Sequence, residues 1–566
     1  MTRDREGQIL LVFPPVWDTS APYLSLPSLA AHARSTGHET RLLDANLLYW
    51  NHFKRDAEIA SLWHRCRVST QRPPLPAPQE SSELLLSNTM ISSLGRMSLP
   101  EFRTYIDHLG RKSQAFRLLV NMVGGTPSNH LRPGNGSRLE TAGHYQDYYY
   151  PGHSLSSYAE DSRALLPVLS DRAENHFIAF FEDMIAALDD ISSLRLAGIS
   201  IAGLSQVVAA FTLAGCLRQS CPGLKIVMGG PWCTQVRNLL HGVPGLFDLV
   251  DGIVVFEGEK PLGDLLINSR LPRLASSPNL YFRSNRSVHE PDTFCDHVLS
   301  GLPTPDFSGL PLSEYDEHGS LPLIASRGCY WAKCTFCSYP SLEPVYKVRG
   351  VPRVVEDIAI LRDRYGCIHV PFADPILSPH FMRTLAAALR DSESPVTWSG
   401  FARLEDALHV EDFADLFRGG CRAVFWGLES GNQRVLDLIQ KGIRLDHAAE
   451  LLKHSAAAGI HNRALMMYGH PTETFAEVMD SVRFVEENLE YIHSLTWSSY
   501  TLETGTPVSA TPVAFGLQES DAPTRDLAIR WEQPSRFSAP DMDRLNRHLT
   551  AINDEIIRRN ATGGLR

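Results

Sequence analysis

The sequence predicts an α/β protein of two units in tandem: a doubly wound, Rossmann-like (flavodoxin-like) sheet, then a partial (β/α)6 barrel of the TIM type. Three observations carry this. Apolar runs of strand length alternate with amphipathic helical stretches in two blocks, one before about residue 300 and one after it, the pattern of parallel strands joined by crossover helices. A Pro-rich connection within Leu302 to Gly319 (LPTPDFSGLPL) separates the blocks. The first apolar run of the second block ends in Arg327-Gly328 and passes directly into Cys329, Cys334 and Cys337, at a strand end where α/β proteins keep their chemistry. The boundaries expected are 1–300, 301–509 and a helical tail 510–566, with an insertion over about 51–193.

In the first block, Gln8 to Phe13 (QILLVF) reads as a buried strand, followed by the loop Pro14 to Pro27, a helix from about Pro27 to Thr36 that stops at Gly37, and a strand His38 to Asp44. The pattern breaks and resumes at Leu194 to Ile201, with a helix to about Cys221, the strand LKIVMGG, a helix near Gln235 and the strand LVDGIVV. In such a sheet a ligand lies across the C-terminal strand ends, on loops of small residues. Three loops qualify: Gly198 to Ser205, which includes Ser200 and Gly203; Gly229-Gly230-Pro231; and Phe256-Glu257-Gly258-Glu259. Taken singly, a Gly pair is a tight turn and a Ser is a cap. The intervening stretch carries amphipathic patches at Leu84 to Leu94 and Phe177 to Leu188, and a polar, turn-rich segment in which Tyr148 to Tyr150 and His153 are candidates for a substrate entrance.

The second block gives helices at Pro352 to Arg364, Pro379 to Arg390, Val410 to Phe417, from Asn432, from Leu445, and at Ala476 to Asn488. Between them lie strands Cys367 to Ala373, Val396 to Phe401, Arg422 to Leu428, Asn462 to Tyr468 and Ser494 to Tyr500. With the strand before the cysteines this makes six, so the residues at strand ends are the ones to read for chemistry. They include Asp374, Arg403 and Glu429, the turn MMYGHPTET, and ETGTP at Glu503 to Pro507. The tail includes a charged helical stretch, Asp541 to Arg559.

Composition narrows the function. The 566 residues carry a net charge of -11 with 21% charged residues and no long basic runs, which argues against nucleic acid as a partner. There is no signal-peptide h-region and no apolar run of membrane-spanning length, so the expectation is a cytoplasmic protein without a membrane partner. The 10 cysteines are then expected as free thiols, mostly small buried hydrophobes outside the trio. Three clustered cysteines, not four, leave a zinc knuckle with a distant fourth ligand as one reading. A cubane with an open iron is the other.

The RGC and CTFC segments resemble the cluster loop of cobalamin-dependent radical S-adenosylmethionine (SAM) enzymes. That family spaces the cysteines by three residues then two, whereas Tyr330 to Lys333 make the first gap four here. The extra residue is expected to bulge the loop, with Tyr330 or Trp331 meeting the first domain. WGLESGNQRVL resembles the family's GxES signature, with Lys441-Gly442 after it; the MMYGHPTET turn resembles GxPxET. Ser200 and Gly229, with 28 residues between them, and FEGEKPL resemble later motifs of the cobalamin-binding domain.

The resemblance implies a 4Fe-4S cluster on Cys329, Cys334 and Cys337, and SAM against Phe336, Asp374, Arg403 and Glu429. It implies cobalamin held by Pro15, Trp17, Ser200, Gly203, Ser205, Gly229, Gly230, Pro231, Glu257 and Gly258. The loop Pro14 to Pro27 has no histidine, so the cobalt is expected without a protein imidazole, Trp17, Asp18 and Tyr23 lying near its lower face; an axial ligand is the protein's handle on such a metal. The activity implied is methyl transfer from methylcobalamin to an unactivated carbon, in natural-product biosynthesis, with a small molecule or peptide as substrate and flavodoxin or ferredoxin as reductant. A cyclising, rearranging or oxidising enzyme with the same cofactors is the alternative. A non-catalytic cobalamin or metal sensor would not need Glu429 or Arg403, and a methylthio-transferring enzyme would need Cys216, Cys221 and Cys233 together as ligands of a further cluster.

Overall fold

A computed structural model describes residues 8–53, 98–101, 158–267, 277–294, 298–390, 396–519, 527, 531–532 and 537–562. The patch Leu84 to Leu94, Tyr148 to Tyr150 and His153 lie outside them. The first unit is a sheet of seven strands in the order β2-β1-β3-β4-β5-β6-β7: β1 (Gln8–Phe13), β2 (Thr40–Asp44), β3 (Leu194–Ser200), β4 (Lys225–Gly229), β5 (Gly252–Val254), β6 (Leu280–Ser284) and β7 (Ser287–His289). The first five pair in parallel. Their 2-1-3-4-5 order is the flavodoxin-like one, with its switch point between β1 and β3.

β6 and β7 extend the sheet as an antiparallel hairpin that the sequence reading lacks. Their two-residue turn puts Asn285 and Arg286 at φ 51° and 68°. This is the geometry that usually advertises itself with Asn-Gly, and the arginine hides it.

Apolar side chains on one face of the sheet pack with Tyr49, Trp50, Phe177, Phe181 and Phe211. Full burial of such side chains contributes roughly 1.5–3 kcal/mol each. The helix Phe177–Ala186 lies on the helix Val207–Ser220, so the end of the stretch expected as an insertion belongs to the packing of the sheet.

The other face of the sheet shares a continuous core with the second unit. Ile9, Leu11 and Phe13 belong to the same cluster as Leu323, Phe372 and Trp398. In that unit β8 (Ser326–Arg327) and β9 (Lys347–Val348) form an antiparallel clasp at the two ends of the cysteine loop. Five parallel strands follow in order: β10 (His369–Pro371), β11 (Thr397–Ala402), β12 (Cys421–Glu429), β13 (His461–Tyr468) and β14 (Ser494–Ser499).

The strand expected before the cysteines lies along β10 through bridges, with Leu321 N–H donating to His369 O at 3.0 Å and Ala373 N–H to Leu323 O at 2.9 Å. The result is a half-barrel. Along β12 buried residues alternate with half-buried ones, Ala423, Phe425, Gly427 and Glu429. Alternation of this kind gives a strand two distinct faces, and Ala423 and Phe425 line the cavity described below.

Pro352 opens the helix Val351–Tyr365, where a missing N–H costs nothing. The terminal helix Ala539–Thr562 buries Leu545, Ile552 and Ile556 in the barrel core, so the tail is part of the second unit's packing. Cys216, Cys233, Cys367 and Cys421 are buried free thiols, while Cys66 and Cys295 lie outside the described residues. Among the described residues no helix is long and apolar enough to cross a membrane.

Candidate functional site

Cys329, Cys334 and Cys337 are half-buried on the loop closed by the β8–β9 clasp. Asp374 fixes the start of that loop: it is 1% exposed, accepts the Ala325 N–H at 2.9 Å and the Ser326 hydroxyl at 2.6 Å, and also takes the Ser326 N–H. Burial raises its pKa to about 7. Thr335 N–H donates to Ile439 O at 3.0 Å, tying the loop's middle to the segment after β12.

The extra residue in the first gap is accommodated as a left-handed kink, Ala332 at φ 49°, whose N–H points at Cys329 Sγ at 3.4 Å. Among the described residues neither Tyr330 nor Trp331 makes a hydrogen bond or ring contact with the first domain. Tyr330 hydrogen-bonds Glu405, and Trp331 donates to Gln440 O at 2.9 Å while its ring stacks 3.7 Å from the Arg403 guanidinium. The bulge points along the barrel rim because a guanidinium and a carboxylate wait for it there.

The three thiols suit a cluster. Among the described residues no three Cys, His, Asp or Glu side chains converge as one ion requires. A zinc ion would demand sulfurs all about 2.3 Å from one point, whereas a cubane offers each thiolate its own iron. Burial raises the Cys334 thiol and takes that of Cys337 to about 12; Lys441 opposes this at both and Arg403 at Cys334. Bare, Cys334 and Cys337 would thus stay protonated, and positive charge beside them favours an anionic thiolate cluster.

Around the loop, Glu429 sits at φ 67° with its carboxylate 2.8 Å from the Lys441 ammonium. Burial alone would lower Lys441; Glu429 and Cys334 outweigh it and hold the amine above its ordinary value. Phe336 lies 6.0 Å from that ammonium. Arg403 is 3% exposed and bonds Glu405 at 2.8 Å and Lys441 O at 2.7 Å, yet its Nε has no partner. A buried N–H left without an acceptor is costly. With Glu429 and Lys441 alongside, it fits a zwitterionic ligand bearing a carboxylate and an amine. Asp374 spends its hydrogen bonds on the protein and serves as an anchor.

A cavity of about 790 Å³ runs from the C-terminal strand ends of the first sheet to the inner face of the half-barrel. Trp17, Asp18 and Tyr23, then Ser200, Gly229, Gly230 and Pro231, then Glu257 and Gly258, line its first-domain side. Gly230 has φ 105°, and a Cβ there would stand 2.5 Å from Ile201 O. There the backbones of two strand-end loops touch, a close approach that only glycine permits. Tyr23 and Trp17 make an aromatic floor, backed by the buried Phe13, which stacks on Tyr23 at 4.4 Å.

Pro15, Gly203 and Ser205 do not line the cavity. Ser205 instead donates to Val16 O at 3.1 Å, and Gln206 to Pro14 O at 2.6 Å. These bonds hold Val16, a β-branched residue at φ 75°, in a conformation it adopts only under constraint. The aromatic floor, with small residues at the strand ends beside it, suits a large planar cofactor with a polar rim.

One ion cluster and one lone arginine on the cavity wall escape sequence reading. Glu257 and Glu259 pair with Arg327 and Lys347 across the domain boundary, Arg327 Nη1 to Glu257 at 3.0 Å. Arg463 stands on β13 facing Phe425, its guanidinium 5.5 Å from that ring. An arginine inside the apolar run HNRALMMY was a visible signal for the second. Nothing local announces the first, whose partners are far apart in the chain.

Comparison with known proteins fits this geometry. Residues 323–485 match the radical SAM superfamily. The half-barrel is a radical SAM domain. An uncharacterized methyltransferase of Pyrococcus horikoshii is 29% identical over 295 residues, 50% of this chain and 62% of that protein. The anaerobic magnesium-protoporphyrin IX monomethyl ester cyclase of Rubrivivax gelatinosus is 26% identical over 210 residues, 35% of this chain and 36% of the cyclase. The chain thus spans under two thirds of both relatives. In fold it resembles the cobalamin-dependent radical SAM enzyme OxsB with aqua-cobalamin bound (TM-score 0.56, 14% identity, 94% of this chain and 64% of that one). It also resembles the radical SAM methyltransferase TsrM of Kitasatospora setae (TM-score 0.54, 15% identity, 92% and 80%). The α/β fold with its radical SAM domain is therefore that of the cobalamin-dependent radical SAM enzymes.

Proposed function

We propose that this protein is a cobalamin-dependent radical SAM methyltransferase acting on carbon. The observation that carries the reading is the cavity shared by the strand ends at Ser200 and Gly229 to Pro231 and the inner face of the radical SAM domain, since methyl transfer needs corrinoid and substrate to face each other. When bound, a 4Fe-4S cluster with SAM supplies a 5′-deoxyadenosyl radical, and cobalamin supplies a transferable methyl group.

The chain's own part is to bind, orient and exclude water. Cys329, Cys334 and Cys337 would hold the cluster. Arg403 Nε would take the SAM carboxylate, and Glu429 with Lys441 would orient its amine, with Phe336 against the adenine. Gly229, Gly230 and Ser200 would admit the corrinoid edge to the backbone, and Trp17 and Tyr23 would underlie it with aromatic faces, not imidazole. Pro15, Gly203 and Ser205 act on that loop's shape; Glu257 and Gly258 close the wall. The setting proposed is natural-product biosynthesis in the cytoplasm, with flavodoxin or ferredoxin as reductant.

The similarity to a cyclase favours a second reading, in which the same cofactors drive ring closure without methyl transfer. Anaerobic reconstitution with iron, sulfide and cobalamin, then turnover of candidate substrates with methyl-deuterated SAM, separates the two. Deuterium in the product supports methylation. Deoxyadenosine with an altered, unlabelled product supports cyclisation, and uptake of neither cluster nor corrinoid ends both. Cys334→Ala is expected to abolish SAM cleavage while leaving cobalamin uptake intact.

A further inference from the structure

The inner face of the half-barrel carries one cation whose charge is not answered. Arg463 lines the cavity. Among the described residues no acidic side chain pairs with it and no hydrogen bond to its side chain is made, its Nε being buried and without a partner. Leaving a charged donor in this state is costly unless something else answers it.

The cavity's other arginine, Arg327, is already held by Glu257 and Glu259. Beside Arg463 the wall is made by Phe425, Phe401 and Leu465, with Ser399 and His369 further round. His369 adds no charge: its two ring nitrogens face the hydroxyls of Thr397 at 2.9 Å and Ser399 at 3.0 Å, and burial lowers its pKa. Of the carboxylates that line the same cavity, Asp18, Glu257, Glu259, Glu317 and Glu343, none forms an ion pair with Arg463 among the described residues, and its immediate neighbours are aromatic and aliphatic walls.

We infer that Arg463 is the substrate-orienting residue of the barrel, and that the substrate carries a carboxylate on an apolar or aromatic body. A single guanidinium matches a carboxylate in charge and in its two-pronged geometry, whereas a phosphate dianion would call for more than one cation. Phe425 and Phe401, whose rings are 4.9 Å apart, would receive the apolar part. Through the strand register Arg463 pairs with Phe425 while Met466 pairs with Glu429. The anchored end thus sits about 10 Å along β13 from the Glu429 level, three residues at roughly 3.3 Å each. The reacting carbon lies between the two.

This deepens the proposed function and rests on it for the word substrate, but its test reads binding. Saturation-transfer NMR titration of the reconstituted protein with 4-phenylbutyrate, its neutral amide 4-phenylbutanamide, and phenethyl phosphate is the experiment. The carboxylate is expected to bind about tenfold more tightly than the amide. That preference should vanish in Arg463→Gln and return in part in Arg463→Lys, with cobalamin uptake unchanged in both as evidence of an intact fold.

Equal binding of acid and amide by the wild type, or an undiminished preference in Arg463→Gln, overturns the assignment; tighter binding of the phosphate overturns the carboxylate. If wild type takes up neither cluster nor corrinoid yet prefers the acid through Arg463, the proposed function falls and the anion site stands.

Discussion

A Cβ on Gly442 would overlap the Trp331 ring and come within 3.0 Å of Arg403 Nη2, and the residue has φ 66°. Space and backbone both demand glycine here, at the point where the extra residue of the cysteine loop is clamped between Arg403 and the segment after β12. Gly442→Ala is expected to cost roughly 1–3 kcal/mol in urea unfolding. It should also shift tryptophan emission as Trp331 leaves the guanidinium; unchanged midpoint and emission would mean the clamp is slack. Much of this neighbourhood could be read from the chain. The cysteine spacing, Glu429 and Lys441-Gly442 lie within short motifs whose chemistry is local. Arg463 and the partners of Arg327 could not be read so, because what makes them informative is the absence of a neighbour in one case and a carboxylate 68 positions away in the other.

Among elements, the strands were legible wherever parallel pairing buries both faces, since a continuous apolar run such as QILLVF then has no rival reading. The β6–β7 hairpin was not, for want of a glycine turn, and neither was the contribution of Phe177–Ala186, whose amphipathic face does not say what it covers. The pairing of β13 with β14 brings a pH dependence. His461 and His493 lie at the starts of these strands with rings 4.9 Å apart. Burial, then each other's charge, lowers His461 to about 4, and burial lowers His493. His493 Nδ1 accepts the Asn462 N–H at 3.0 Å, which a protonated nitrogen cannot do.

Both pKa values are depressed in the fold, so the unfolded chain binds more protons as pH falls from about 6.5 towards 4, and stability is lost across that window. The loss from this pair is expected to be about 1–2 kcal/mol after solvent screening. His461→Gln should flatten the pH dependence of the urea midpoint between pH 6.5 and 4, and an unaltered slope would remove the pair as its source.

At the scale of the whole molecule, the cavity exists only while the two units stay docked. Their shared core is apolar and continuous, which holds them together without specifying alignment. The ion cluster supplies that: Glu257 and Glu259, 4% and 3% exposed, sit after β5, and Arg327 and Lys347 sit on the clasp that closes the cysteine loop. Burial alone would lower Arg327, but the two carboxylates outweigh it and hold the guanidinium firmly charged. The cofactor wall of one domain is thereby pinned to the cluster loop of the other by the same four side chains.

Breaking a buried pair from one side leaves an uncompensated charge, at about 3–5 kcal/mol. Arg327→Gln is expected to loosen the interface, seen as faster hydrogen exchange in Leu302 to Gly319 and weaker cobalamin uptake. Adding Glu259→Gln should recover part of both, because it removes a carboxylate that has lost its arginine. Exchange that stays at the wild-type level in Arg327→Gln would mean that the apolar core alone sets the docking. A double variant no better than the single would mean that the arginine acts on the cysteine loop and not across the boundary.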